Sequence, residues 1–209
     1  METVSHMPNP KSKIENKKLD VLNPAVLEYA YSAGAFPMPD ERGIIRWYQP
    51  DPRAILPLAR FHASRSLLRK IRKGVFTVTY DRDFSGVMRG CAARKPTWIT
   101  PEFIRAYTAL HHLGKAHSVE VWQEGQLAGG VYGVHLGGAF FAESKFHAAT
   151  DASKVALAKL VERLKARGFV LLEVQFLTPH LAQFGVIEIP HPEYMRRLKE
   201  ALKLKCDFP

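Results

Sequence analysis

The chain has 209 residues, 46% of them hydrophobic and 24% charged, which excludes a disordered protein and suits one domain with at most a small appendage. Lys and Arg number 30 against 20 Asp and Glu, and a net charge of +10 favours a polyanionic partner, nucleic acid first and anionic membrane second, beside the plain alternative of a basic surface. Cys91 and Cys206 stand in no metal or redox spacing, the N-terminus lacks an apolar core, and no apolar run reaches membrane-spanning length, so the reading is a soluble cytoplasmic protein.

In chain order, residues 1–18 are polar and read as a mobile tail. A helix starts at Asn23, which can cap it, with Pro24 in the first turn and Gly34 at the end. A loop over Phe36-Pro37-Met38-Pro39, the aromatic pair Trp47-Tyr48 and the turn Pro50-Asp51-Pro52 follow, with prolines and aromatics alternating through Pro57, which predicts a small N-terminal subdomain over residues 19–62. Residues 63–209 read as one larger domain. Ser64 caps a short helix carrying Arg65, Arg69, Lys70, Arg72 and Lys73. A strand over 75–79 precedes a helix from Asp81 or Asp83, whose Phe84, Val87, Met88 and Cys91 share one face. Thr100 and Pro101 open another helix, closed by Gly114.

From His117 the hydrophobic period becomes two. Glu124-Gly125 and Gly137-Gly138 mark turns, so a three-stranded antiparallel meander runs to about Ala142. A loop over 143–150 leads to a helix with Leu157, Leu160, Val161 and Leu164 on one face. A buried strand over 169–177, a short helix, a strand over 186–189 and a basic helix complete the chain. This order predicts an α+β domain resembling the acetyltransferase-like (GNAT-like) fold.

Glu173 and Gln175 lie two apart on the buried strand and so share one of its faces. A carboxylate and an amide there are costly unless paired or used, which leaves a satisfied core network and a functional site both open. Glu143 ends the third strand and reads as a ligand group or a solvated strand end. Trp47, Tyr48 and Trp98 can stack on a base or line the core. The helix from Arg65 to Lys73 can read phosphates or be a solvated face.

Several segments, in this order, resemble the leucyl/phenylalanyl-tRNA–protein transferase family: Trp47 with Pro50-Asp51-Pro52-Arg53-Ala54, Thr97-Trp98-Ile99-Thr100, Ala116-His117-Ser118-Val119-Glu120-Val121-Trp122, Gly129-Gly130-Val131-Tyr132-Gly133, Glu143-Ser144, Ala152-Ser153-Lys154 and Gln175. The resemblance implies an acetyltransferase-like C-terminal domain and transfer of Leu or Phe from charged tRNA to an acceptor protein beginning with Arg or Lys, which marks it for degradation. It implies no metal and no bound cofactor; no membrane partner and a monomeric state are expected beside it. It places the aminoacyl-adenosine end and the amino-acid pocket at Tyr31, Met38, Trp47, Trp98, Phe140 and Glu143, and a catalytic pair at Glu173 and Gln175. The family's usual Asp is Glu173 here, its Glu-Ser-Met-Phe-Ser reads Glu143-Ser144-Lys145-Phe146-His147, Met38 stands where Trp is usual, and the glycine-rich segment ahead of Tyr31 is missing.

The chemistry needs little beyond positioning, because an aminoacyl ester is already activated. Glu173 can accept the amine's proton or orient it through Gln175, and backbone N–H groups over 143–147 can meet the oxyanion. Lys145 needs a partner, for which Glu173 is the sequence candidate, or a route to solvent. A coenzyme-A-dependent N-acetyltransferase is the rival on the same fold, but the segment over 145–153 has no glycine to wrap a pyrophosphate. A related transferase with a different acceptor, and a non-catalytic RNA-binding module, are the other readings.

Overall fold

The computed structural model describes residues 22–40, 42–94 and 97–209; the tail expected over 1–18 lies outside them. The architecture is α+β, as expected. Helix α1 (Pro24–Ser32) begins where the Asn23 side chain accepts a hydrogen bond from the Val26 N–H at 3.0 Å. Strands β1 (Phe36–Pro39) and β2 (Ile45–Tyr48) form a separate antiparallel hairpin. Strand β3 (Arg53–Ile55) enters the main sheet. Ser64 caps α2 (Arg65–Arg72) by accepting from the Leu67 N–H at 3.2 Å.

Strand β4 (Thr77–Tyr80) and helices α3 (Phe84–Ala92) and α4 (Pro101–His112) come next, and Thr100 caps α4. The meander is β5 (Ala116–Gln123), β6 (Gln126–Leu136) and β7 (Ala139–His147). Helix α5 (Ala152–Ala166) carries the chain to β8 (Leu171–Gln175), followed by α6 (Pro179–Ala182), β9 (Ile187–Ile189) and α7 (His191–Ala201).

The seven-stranded sheet runs β4-β5-β6-β7-β8-β3-β9, and β7–β8 is its parallel pair, joined by the α5 crossover. One core joins α1, α3, α4 and α7 through Leu27, Phe84, Phe103, Tyr107 and Tyr194. The other packs α5 on the sheet through Val155, Leu157, Leu160 and Leu164.

Two departures from the sequence expectation shape the candidate site. The third strand does not stop near Ala142; β7 continues to His147, and the expected loop over 143–150 shrinks to 148–151. Tyr132 pairs with Ser144 and Gly133 with Ala142, so Glu143 is an extra residue in β7, a β-bulge. One inserted residue shifts the period-two pattern, so alternation fails as a guide beyond it. Gly133 allows this: a Cβ there would collide with the Phe141 carbonyl and the Phe140 ring. The strand expected over 169–177 ends at Gln175, which turns left-handed at φ +65°. Pairing of β7 with β8 stops at Phe141↔Glu173, so past that point the two strands part.

A candidate active site where two strands part

Glu143 projects from the bulge and is buried. Its Oε2 accepts from Gln175 Nε2 at 3.1 Å and from the Tyr107 hydroxyl at 3.4 Å, and Tyr107 meets the Tyr31 hydroxyl at 2.5 Å. Its Oε1 is buried without a protein partner. An orphaned buried acceptor costs about 1–3 kcal/mol, which a ligand donor would recover. Burial pushes the Glu143 carboxyl up to about 8, against the pull of the nearby Tyr31 and Tyr107 hydroxyls and the Gln175 amide; the neighbouring Glu173 adds to the rise. The Tyr31 and Tyr107 phenols are raised well above their ordinary value by the same burial.

Glu173 is fully buried on β8. Arg53 Nη1 donates to its Oε1 at 3.1 Å, and the Gln175 backbone N–H donates to the same oxygen at 2.7 Å. Burial lifts the Glu173 carboxyl above the usual carboxylate range and the Arg53 guanidinium opposes the rise. The partner of Glu173 is therefore Arg53 and not Lys145, which corrects the sequence expectation. Arg53 lies 120 residues away in the chain, beyond any local pattern. Lys145 instead pairs across the sheet with Val131, a residue of the α5-side core, and is half-buried. Desolvation pulls its amine down to about 8.

Tyr31, Glu143, Glu173 and Gln175 thus come together. Met38 and Trp47 lie buried in the adjoining core through the β1–β2 hairpin. Trp98 is half-buried and sits edge-on to Phe103 at 5.3 Å, at the border of the same core. Phe140 is not part of this gathering: it faces α5 and packs on Phe169 and Phe208. On α2, Arg65, Arg69, Arg72 and Lys73 are exposed, while Lys70 is half-buried and ion-paired with Asp151. Sequence reading assigned no role to Arg53, Tyr107 or Tyr194. The signal for Arg53 was available: a lone cation heading the apolar run Ala54-Ile55-Leu56.

A second polar cluster lies on β4 and β5. His117 Nδ1 meets Asp81 Oδ2 at 2.7 Å and its Nε2 meets His135 Nδ1 at 2.9 Å, while His111 Nδ1 meets the Ala116 carbonyl at 2.7 Å. Asp81, His111 and His117 lie close enough to be read as metal ligands, but these ring nitrogens are already engaged in hydrogen bonds. Burial lowers His135 to about 4 and keeps it neutral.

The family model for leucyl/phenylalanyl-tRNA protein transferase matches residues 55–199, and the model for that family's N-terminal domain matches 20–51. The chain belongs to the leucyl/phenylalanyl-tRNA–protein transferase family. Membership makes it a transferase enzyme. A relative of that name from Ruegeria pomeroyi is 56% identical over 189 residues, covering 90% of each chain. One from Herpetosiphon aurantiacus is 54% identical over 188 residues, covering 90% of this chain and 98% of the relative. Solved structures with a distant likeness include a GCN5-related N-acetyltransferase-like protein from Streptococcus suis, at TM-score 0.40 and 13% identity over 79% of this chain and 63% of that one. Another is a ribosomal-protein-alanine N-acetyltransferase from Brucella melitensis, at 0.36 and 15% over 60% and 89%. Among the described residues, no helix is long and apolar enough to cross a membrane.

Proposed function

We propose that this member moves leucine or phenylalanine from charged tRNA to the N-terminal α-amine of a protein beginning with Arg or Lys, acting as a cytoplasmic monomer, and that the product is marked for degradation. The observation that carries the reading is Glu143, a buried carboxyl on a strand bulge with one oxygen held by Gln175 and the other without a protein partner. In this reading the amine nitrogen attacks the ester carbonyl, the new amide bond forms, and the ester C–O bond breaks. The tRNA 3′-terminal hydroxyl leaves with a proton.

Glu143 takes the ammonium proton. An α-amine titrates at about 7.7–8.0, and the Glu143 carboxyl stands at about 8, so the transfer is nearly thermoneutral. Gln175 orients the carboxylate and the amine. Glu173 acts one step back, through the Gln175 backbone N–H. Backbone N–H groups on the β7 edge past Phe141, where pairing with β8 has stopped, are the candidates to meet the oxyanion. Glu143 Oε1, buried and without a protein partner, is a free acceptor for the N–H groups of a basic side chain, which supports a basic acceptor. The exposed cations of α2 support tRNA as donor.

The test is a transfer assay with Leu-tRNA and Phe-tRNA on peptides beginning with Arg, Lys, Asp and Glu. Product on the Arg and Lys peptides is expected. Equal or greater transfer to the acidic peptides would overturn the acceptor assignment.

A further inference from the structure

Arg53 is 1% exposed, on the short strand that joins β8 to the sheet's far edge. Its guanidinium reaches three parts of the chain. Nη1 donates to Glu173, Nη2 donates to the Gly34 carbonyl that follows α1, and the cation lies over the Tyr194 ring of α7 at 4.4 Å and the Phe36 ring at 5.2 Å. The Glu173 oxygen that receives Arg53 also receives the Gln175 backbone N–H. Gln175 is left-handed at φ +65°, a conformation that non-glycine residues hold only when their surroundings impose it. Its side chain then reaches Glu143 at 3.1 Å.

We propose that Arg53 is a positioning residue of the transfer reaction: by anchoring Glu173 it holds Gln175 in its left-handed turn and so aims the Gln175 amide at Glu143. This rests on the reading of Glu143 and Gln175 as the pair that handles the amine. A role in stability alone fits the details less well. Buried ion pairs are often no more stabilising than apolar residues of the same size, and this one leaves Arg53 Nε and Glu173 Oε2 buried without partners. What the pair supplies is direction. A planar fork can hold Glu173 and Gly34 at once, whereas a lysine ammonium of similar charge is a point donor on a flexible stem. The geometry at Gln175 is thereby tied to the segment after α1 and to α7, two elements remote from it in sequence.

The experiment compares Arg53→Lys, Gln175→Ala and the double variant, each shown to be folded by its thermal melt, with kcat and KM measured for Leu-tRNA and for an Arg peptide. Arg53→Lys is expected to lower kcat by roughly 10- to 100-fold with KM unchanged, the scale of a displaced reacting group. The double variant is expected to be no worse than Gln175→Ala, because the two losses describe one interaction. Wild-type kcat in Arg53→Lys, or losses that multiply in the double variant, overturn the inference. Wild-type kcat in Gln175→Ala overturns the site reading itself, and the inference with it. If Arg53→Lys does not fold, Glu173→Gln replaces it in the same cycle. That variant keeps an acceptor for the Gln175 N–H but removes the charge that holds the guanidinium, and the same non-additivity with Gln175→Ala is expected.

Discussion

Two buried acid clusters sit on one sheet, and they differ in what they leave unsatisfied. On β4 and β5, Glu120 accepts from Thr79 Oγ1 at 2.6 Å, from the Arg82 N–H at 3.3 Å and from the Ser118 hydroxyl, and Asp81 holds His117 and the Ser118 N–H. Among the described residues, none of these side chains keeps a buried polar atom without a partner. Around β7, β8 and β3, the buried unpartnered atoms include Glu143 Oε1, Glu173 Oε2, Arg53 Nε, Tyr132 Oη and Tyr194 Oη. Both clusters bury a glutamate, Glu120 in one and Glu143 and Glu173 in the other. The closed one behaves as internal structure, and the open one has capacity left for a ligand. Buried charge alone therefore does not single out a candidate site; incomplete satisfaction at a place where the sheet splits does.

Three substitutions test this contrast. The largest effect is expected from Glu143→Gln, which should lower kcat by about 100-fold or more, the lower range for loss of an acid–base group. The same change should stabilise the protein in alkali. The folded carboxyl titrates at about 8 against an ordinary 4.5, so its ionisation opposes folding. That cost is absent below pH 4.5, grows as pH rises, and is complete above pH 8. Denaturant midpoints at pH 5 and pH 9 should show Glu143→Gln equal to the wild type at the first and more stable at the second. A less stable variant at pH 9 would mean that Glu143 is as well satisfied as Glu120, and the contrast would fail.

Glu120→Gln should behave in the opposite sense. It replaces an acceptor that serves three donors with an amide that has one acceptor oxygen. The expected cost is about 1–3 kcal/mol of stability, with kcat per folded molecule unchanged. Loss of kcat without loss of stability would bring the closed cluster into the mechanism.

The smallest effect is expected from Lys145→Met. The half-buried amine is pulled from 10.5 to about 8 by desolvation, so its protonation opposes folding. The cost is full below pH 8 and disappears as pH rises to 10.5. The variant should melt higher than the wild type at pH 7, and the difference should close by pH 10.5. Equal melting at pH 7 would show that the ammonium is hydrated or paired.

Much of the molecule was legible in the sequence because it is written by near neighbours. Asn23, Ser64 and Thr100 cap helices three residues ahead, the period of two gives the meander, and the i, i+3, i+4, i+7 spacing around Leu160 gives the inner face of α5. The order of elements from α2 onward, the family, and the unusual presence of Glu173 and Gln175 on a buried strand follow from such local information, whereas β1, β2 and β3 fall where the sequence pattern predicted only loop and turn. Tertiary structure alone decided the rest. The bulge at Glu143 depends on the register between β6 and β7, and on a glycine at position 133 that lets the strands approach. The face of Phe140 depends on which side of β7 receives α5. The partner of Glu173 was decided by a contact across 120 residues. A buried charge takes whichever counter-charge folding brings within about 4 Å, and no periodicity along the chain records that distance.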